Sequence, residues 1–177
     1  MHSTFSDLEA HGHMGRIVMQ PSTRRGRLAG VVAVAVLVLI GAAPRVEAVL
    51  SAEIKAALAN STYVYIASTR KNGSLGKPAE IWFLYRDGAV YVGTPPTSWR
   101  ARRIKAGRTQ AKIWVGKADG PAFMASGAIV NDPAAQQAML EAYAKKYPDG
   151  WSKFEEKFRS GFKDGTRVLI KYTPKDS

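Results

Sequence analysis

The sequence contains no cysteine. Disulfide staples, thiolate nucleophiles and Cys-ligated metal centres are therefore excluded. Histidine is nearly as scarce. The three that occur, His2, His11 and His13, all precede the one long apolar run. The chain beyond that run has no Ser-His-Asp or Cys-His catalytic set, and no His ligand for zinc or haem. No metal site is expected there. Acidic residues are also short: 14 Asp and Glu stand against 26 Lys and Arg, a net charge of +12. Five of the cations and three of the acids lie before residue 49, which leaves 21 against 11 in the remainder. Such an excess suits anionic partners, or simply keeps the protein in solution. No zinc-finger, basic-zipper or RNA-binding signature accompanies it, so nucleic acid is not the expected partner. Internal repeats and low-complexity linkers are missing from this part.

The apolar run, residues 28–43, is shorter than the roughly 20 residues of a membrane-spanning helix. Arg24, Arg25 and Arg27 precede it, and Val46-Glu47-Ala48 follows it. A basic flank, a short apolar core and small residues at a cut site describe a secretory signal. Residues 1–48 thus read as an N-terminal extension and signal peptide, and residues 49–177 as one functional domain. Residues 23–28, T-R-R-G-R-L, partly match the twin-arginine export motif, with Arg27 where that motif prefers Phe. An ordinary basic secretory signal is the alternative. Either route places the domain in the periplasm or outside the cell, with membrane attachment only through an uncut signal.

The domain reads as alternating short elements. Ser51 caps a helix to Ala59, with Ile54, Ala57 and Leu58 on one face. Tyr63 to Arg70 is rich in β-branched and aromatic residues and reads as a strand. Pro78 to Arg86, Asp87-Gly88 and Ala89 to Thr94 read as strand, two-residue turn and strand. Pro95 and Pro96 cannot continue a ladder, having no N–H to donate. Ser98 is then placed to cap a helix beginning at Trp99. Thr109 to Val115 alternates, with Ala111, Ile113 and Val115 facing one way, and Phe123 to Val130 forms a fifth strand. Asp132-Pro133 opens a helix whose apolar face is Met139, Leu140, Tyr143 and Tyr147. Pro148-Asp149-Gly150 breaks it. Ser152-Lys153-Phe154-Glu155 reads as a capping box for a further helix, with Phe154, Phe158 and Phe162 facing the core. Gly165 ends that helix, and Thr166 to Thr173 is a sixth strand. Six strands paired mainly as hairpins predict a mainly β fold, a small antiparallel barrel with flanking helices.

The start of the Ser98 helix is the chemically loaded point. Its free backbone N–H groups and positive dipole end favour an anion. Arg100 and Arg103, three residues apart, share a face beside it. Guanidiniums at a helix N-terminus suit a phosphate. The plainer reading is a pair of solvated arginines and a cap without a ligand.

Three stretches carry a resemblance: Y-I-A-S-T-R-K-N-G at Tyr65 to Gly73, P-A-E-I-W-F-L-Y-R-D-G-A-V-Y-V-G-T at Pro78 to Thr94, and S-W-R-A-R-R-I at Ser98 to Ile104. In this order they resemble the pyridoxamine 5'-phosphate oxidase-like family, the FMN-binding split barrels. The resemblance covers nearly all of residues 49–177. It implies a six-stranded antiparallel split β-barrel, a homodimer with cofactor sites at the subunit interface, and bound FMN, with a deazaflavin as the alternative. It also implies that a Thr at the end of the third strand and a Ser-x-Lys opening the next helix hold the flavin phosphate. Thr94, Ser98 and Arg100 stand at those positions, with Arg for Lys. Glu80, Ile81, Trp82 and Phe83 stand on the second strand, where the family lines the flavin ring. Trp82 is otherwise a core aromatic, and Glu80 otherwise a solvated or ion-paired carboxylate. Trp99 would cover the cofactor or a dimer neighbour. Arg70 and Lys77 flank the loop as phosphate or ribityl contacts, or as plain surface charge. The Arg and Lys that true pyridoxamine phosphate oxidases carry on the second strand are absent, as is their His- and Arg-bearing C-terminal motif. The resemblance therefore implies a more general exported flavin-dependent oxidoreductase acting on a small organic substrate, or a non-catalytic flavin or ligand carrier.

Overall fold

The computed structural model describes residues 50–175. The extension and signal expected in residues 1–48 lie outside them, as do His2, His11 and His13. Twelve elements follow one another: α1 (Ala52–Asn60), β1 (Val64–Ser68), β2 (Ala79–Ile81), β3 (Leu84–Arg86), β4 (Ala89–Thr94), α2 (Trp99–Lys105), β5 (Gln110–Val115), β6 (Ala122–Val130), α3 (Pro133–Lys146), α4 (Pro148–Trp151), α5 (Glu155–Asp164) and β7 (Val168–Pro174). Among the described residues no helix is long and apolar enough to cross a membrane.

The seven strands form one sheet in the order β2-β1-β5-β6-β7-β4-β3, antiparallel at every pairing. β2 and β3 are consecutive in the chain yet stand at opposite ends of this order. Only Trp82 and Phe83 separate them. Three Cα steps span at most roughly 11 Å, so the sheet must curl until its two edges nearly meet. The result is a split barrel with flanking helices.

The single strand expected over Pro78 to Arg86 is thus two, and the strand count is seven rather than six. The interruption has a physical cause. At Trp82 and Phe83 the backbone leaves the ladder and bonds to helix α3 instead. Tyr143 donates its hydroxyl to the carbonyl of Trp82 (2.7 Å), and the N–H of Phe83 donates to the Tyr147 hydroxyl (3.1 Å). Tyr147 in turn donates to the carbonyl of Thr62 (2.7 Å), just before β1. Tyr143 of α3 and Tyr147, the residue that caps its C-terminus, therefore occupy the seam of the barrel.

The β3–β4 turn has positive φ at both Asp87 (49°) and Gly88 (73°), the twist that a two-residue hairpin requires. β4 is buried along its whole length. Val90 and Val92 join a core with Val64, Ile66, Ile113, Ile170 and Tyr172, against which Leu58 of α1 packs. Ala89 and Tyr91, on the other face, join Met139, Leu140, Tyr143, Trp151 and Phe158 from α3 to α5. A strand covered on both sides explains the unbroken A-V-Y-V-G-T run. Asp132 caps α3 as expected, accepting from the N–H of Ala135 at 2.9 Å.

The capping box expected at Ser152 does not form. Pro148 to Trp151 is itself one helical turn, Ser152 continues it in helical conformation, and α5 begins at Glu155 without a side-chain cap. Phe154 consequently precedes the helix and is 40% exposed, while Phe158 is buried as expected.

Candidate functional site

Curling brings the ends of β1, β2 and β4 to the start of α2. Between them lies a cavity of about 370 Å³. Ile66 and Ser68 come from β1, Ala79 and Ile81 from β2, Thr94 from the end of β4, and Ser98, Trp99, Arg100 and Arg103 from α2 and its cap. Arg70 and Lys77, from the β1–β2 connection, complete the wall. Among the described residues, Thr94 and Ser68 are the two polar ones that are buried.

Arg100 is the most unusual group. One terminal nitrogen of its guanidinium is buried and has no hydrogen-bond partner in the protein. Burial pushes its pKa down from the ordinary value, against the opposing pull of Tyr172 and Tyr143. The Tyr172 hydroxyl is likewise buried without a well-formed partner, and burial raises its pKa. A buried donor left unpaired costs roughly 1 to 3 kcal/mol, and more when charged. An unpaired guanidinium nitrogen on a residue of the cavity wall suits an anionic, oxygen-rich group.

Arg103 is already engaged. Its guanidinium donates to the carbonyl of Ser68 at 2.8 Å, which ties α2 to β1. Gly76 makes room for it: a Cβ there would stand 2.8 Å from the same nitrogen. Ser98 caps α2, but its hydroxyl is 3.4 Å from the N–H of Ala101. So long a bond leaves the hydroxyl able to turn toward a ligand. Trp99 is 69% exposed at the cavity mouth, with the Arg102 guanidinium 4.9 Å and that of Arg103 5.8 Å from its ring centre.

Eight of the eleven residues singled out from the sequence thus meet at one cavity: Arg70, Lys77, Ile81, Thr94, Ser98, Trp99, Arg100 and Arg103. Glu80, Trp82 and Phe83 do not. Ala79 and Ile81 line this cavity, whereas Glu80 and Trp82 line another, to which Ile81 also contributes. Glu80 accepts a hydrogen bond from Tyr65, its cross-strand partner, and this bond is the main cause of the raised Tyr65 pKa. Trp82 stacks on Tyr147 with ring centres 4.3 Å apart and planes 5° from parallel. Phe83 is fully buried under the Lys146 ammonium. The sequence alone did not single out Ile66, Ser68 and Ala79. For the first two the signal was present: strand alternation carries the wall from Arg70 back through Ser68 to Ile66.

A family profile described as "Uncharacterized protein conserved in bacteria (DUF2255)" matches residues 54–166, more than half of the chain. The chain belongs to this DUF2255 family. Among solved structures, a conserved protein of Mycobacterium tuberculosis superposes with a TM-score of 0.55 at 17% identity, over 75% of this chain and 85% of its own. A Listeria innocua protein provisionally described as a pyridoxamine 5'-phosphate oxidase gives 0.52 at 14%, over 70% and 92%. The heme storage protein HutZ of Vibrio cholerae gives 0.52 at 12%, over 71% and 89%. This DUF2255 chain therefore has the fold of the pyridoxamine 5'-phosphate oxidase-like split barrels. No curated protein matches it in sequence.

Proposed function

We propose that this DUF2255 chain is an exported flavin-binding split barrel that acts as an oxidoreductase on a small organic substrate. The observation that carries the reading is the unpaired, buried guanidinium nitrogen of Arg100 at the α2 cavity. The residues present fit a cofactor phosphate. Arg100 supplies a charged fork, and Ser98 and Thr94 supply hydroxyls. Ile66, Ala79 and Ile81 give the apolar wall that a ring system needs. A flavin would supply hydride chemistry that no Cys or His of the described residues can supply. The chain's own part is then to bind, orient and exclude water. FMN is the simplest cofactor for this cavity, with a deazaflavin as the alternative. The fold is compatible with a homodimer in which Trp99 meets the second subunit. Export is inferred from residues 24–48 alone.

The test is the visible spectrum of the chain from residue 49 onward, loaded with FMN and desalted. Retained flavin bands are expected, together with their loss in Arg100→Ala. A colourless wild-type protein moves the cofactor to a deazaflavin, tested in the same way by its own absorption. Failure of both removes the flavin reading. Retention undiminished in R100A removes the phosphate site from α2.

A second reading is a ligand carrier without turnover. It is favoured by the cavity's ionisable lining, which consists of cations alone, so no carboxylate there can act as a base. Haem, which HutZ is described as storing, would need a ligand other than His or Cys here. A bound flavin that neither dithionite-reduced electron carriers nor nicotinamides can cycle would select the carrier.

A further inference from the structure

A second cavity, of about 390 Å³, lies where the end of α1 meets β3 and α3. It shares no lining residue with the α2 site. Its lining is apolar at Leu58, Ala59, Phe83, Leu84 and Ala142, and polar at Asn60, Ser61 and Thr62. One cation faces it, Lys146 from the last turn of α3.

The surroundings of Lys146 are unusual for a lysine. Its ammonium sits 3.4 Å from the centre of the Phe83 ring and 5.7 Å from that of Tyr147. Among the described residues no carboxylate pairs with it. An aromatic face attracts the charge but offers no hydrogen-bond acceptor of ordinary strength. The ammonium is thus partly stripped of water with its donors unused.

We propose that this cavity binds a small apolar carboxylate, with Lys146 as its counter-ion and the Ser61 and Thr62 hydroxyls as further donors. The composition selects the class. One ammonium balances one negative charge, whereas a phosphate dianion would leave charge uncompensated against apolar walls. The apolar residues of the lining suit a hydrocarbon body rather than a sugar or peptide. The proposal is independent of the flavin reading.

The protonation of Lys146 supplies a signature. Burial lowers its pKa to about 8. The other ionisable side chains facing it are Tyr85 of β3, which lines the cavity, and Tyr147, whose pKa burial raises well above the ordinary value. α1 places no charged side chain in the lining. A carboxylate requires the ammonium form, so binding should weaken as pH rises through about 8.

Octanoate is the probe, titrated calorimetrically into the full chain at pH 7 and pH 9. Saturable binding is expected at pH 7, weaker by roughly tenfold at pH 9, where about a tenth of a group with this pKa stays charged. Lys146→Met should weaken octanoate at least tenfold at pH 7 without a change in octanol binding. Lys146→Arg should retain octanoate equally at both pH values, because its charge does not titrate in this range. Unchanged circular dichroism of the variants excludes misfolding as the cause of a loss. Absence of octanoate binding to the wild-type chain overturns the proposal, as does equal affinity in wild type and K146M. FMN retention is expected to be the same in K146M, so failure here and failure at the α2 site are separable.

Discussion

Tyr147 does more for the fold than its place in an apolar helix face announces. Its hydroxyl accepts from the buried Phe83 N–H and donates to Thr62, while its ring carries Trp82. Tyr147→Phe keeps the ring and strands both backbone groups. The expected cost is about 1 to 3 kcal/mol, read as a lower urea midpoint with an unchanged slope. Helical spacing predicted that Tyr147 is buried but not that its hydroxyl is used, because both partners arrive from over 60 positions away. Arg100 and Arg103 show the same limit. Spacing placed them on one face, yet only the fold separates a guanidinium spent on the Ser68 carbonyl from one left unpaired. Glu80 and Trp82 were assigned to the site through the second strand as a whole. Alternation would have sent Glu80 to the face opposite Ala79 and Ile81, whereas Trp82 lies past the end of β2, where the chain leaves the sheet.

At the scale of elements, two of the sequence-identified caps differ in strength. Asp132 accepts from Ala135 at 2.9 Å, whereas Ser98 stands 3.4 Å from Ala101. Asp132→Ala should cost about 1 kcal/mol and Ser98→Ala clearly less, while S98A should weaken FMN retention more than D132A does. Thermal melts beside cofactor titrations separate the two roles. Gly93 in β4 sets how closely α3 and α5 approach the sheet. A Cβ there would lie 2.6 Å from the Phe158 ring and 3.2 Å from the Met139 sulfur. Gly93→Ala should destabilise by about 1 to 3 kcal/mol through overpacking, measured in the same unfolding experiment. Helices and strands were legible where local signals sufficed: the Asp87-Gly88 turn, the Asp132-Pro133 start and the alternation of β5. The break between β2 and β3 was not, since nothing local in Ile81 to Leu84 interrupts the β pattern. Only closure of the sheet does. The Ser152 capping box failed because a one-turn helix had already consumed its first residue.

For the whole molecule, stability should follow pH in a direction fixed by buried groups. Lys146 loses its proton near pH 8 in the folded chain, against 10.5 for the ordinary side chain. Between those values the unfolded chain holds more protons, so stability rises with pH. Burial raises the pKa values of Tyr143 and Tyr147 above 10. Beyond pH 10 the unfolded chain therefore loses protons that the folded chain keeps, and stability falls. The urea midpoint should climb from pH 8 to 10 and then decline, and K146M should lack the climb. Charge on this scale was readable from composition, and the class of fold from the order of its strands and helices. Which cations meet and which stay apart required the barrel.

The tyrosine seam also bears on the order in which the chain acquires its structure. The groups that close it are 61, 64 and 85 positions apart. Contacts so remote form only after long loops have been closed, and folds that depend on them assemble slowly. A chain still emerging from the ribosome can pair β3 with β4, but cannot seal the barrel until residue 147 has cleared the exit tunnel. Kinetic analysis should give Tyr143 and Tyr147 φ-values near zero, making closure of the seam the final act of folding.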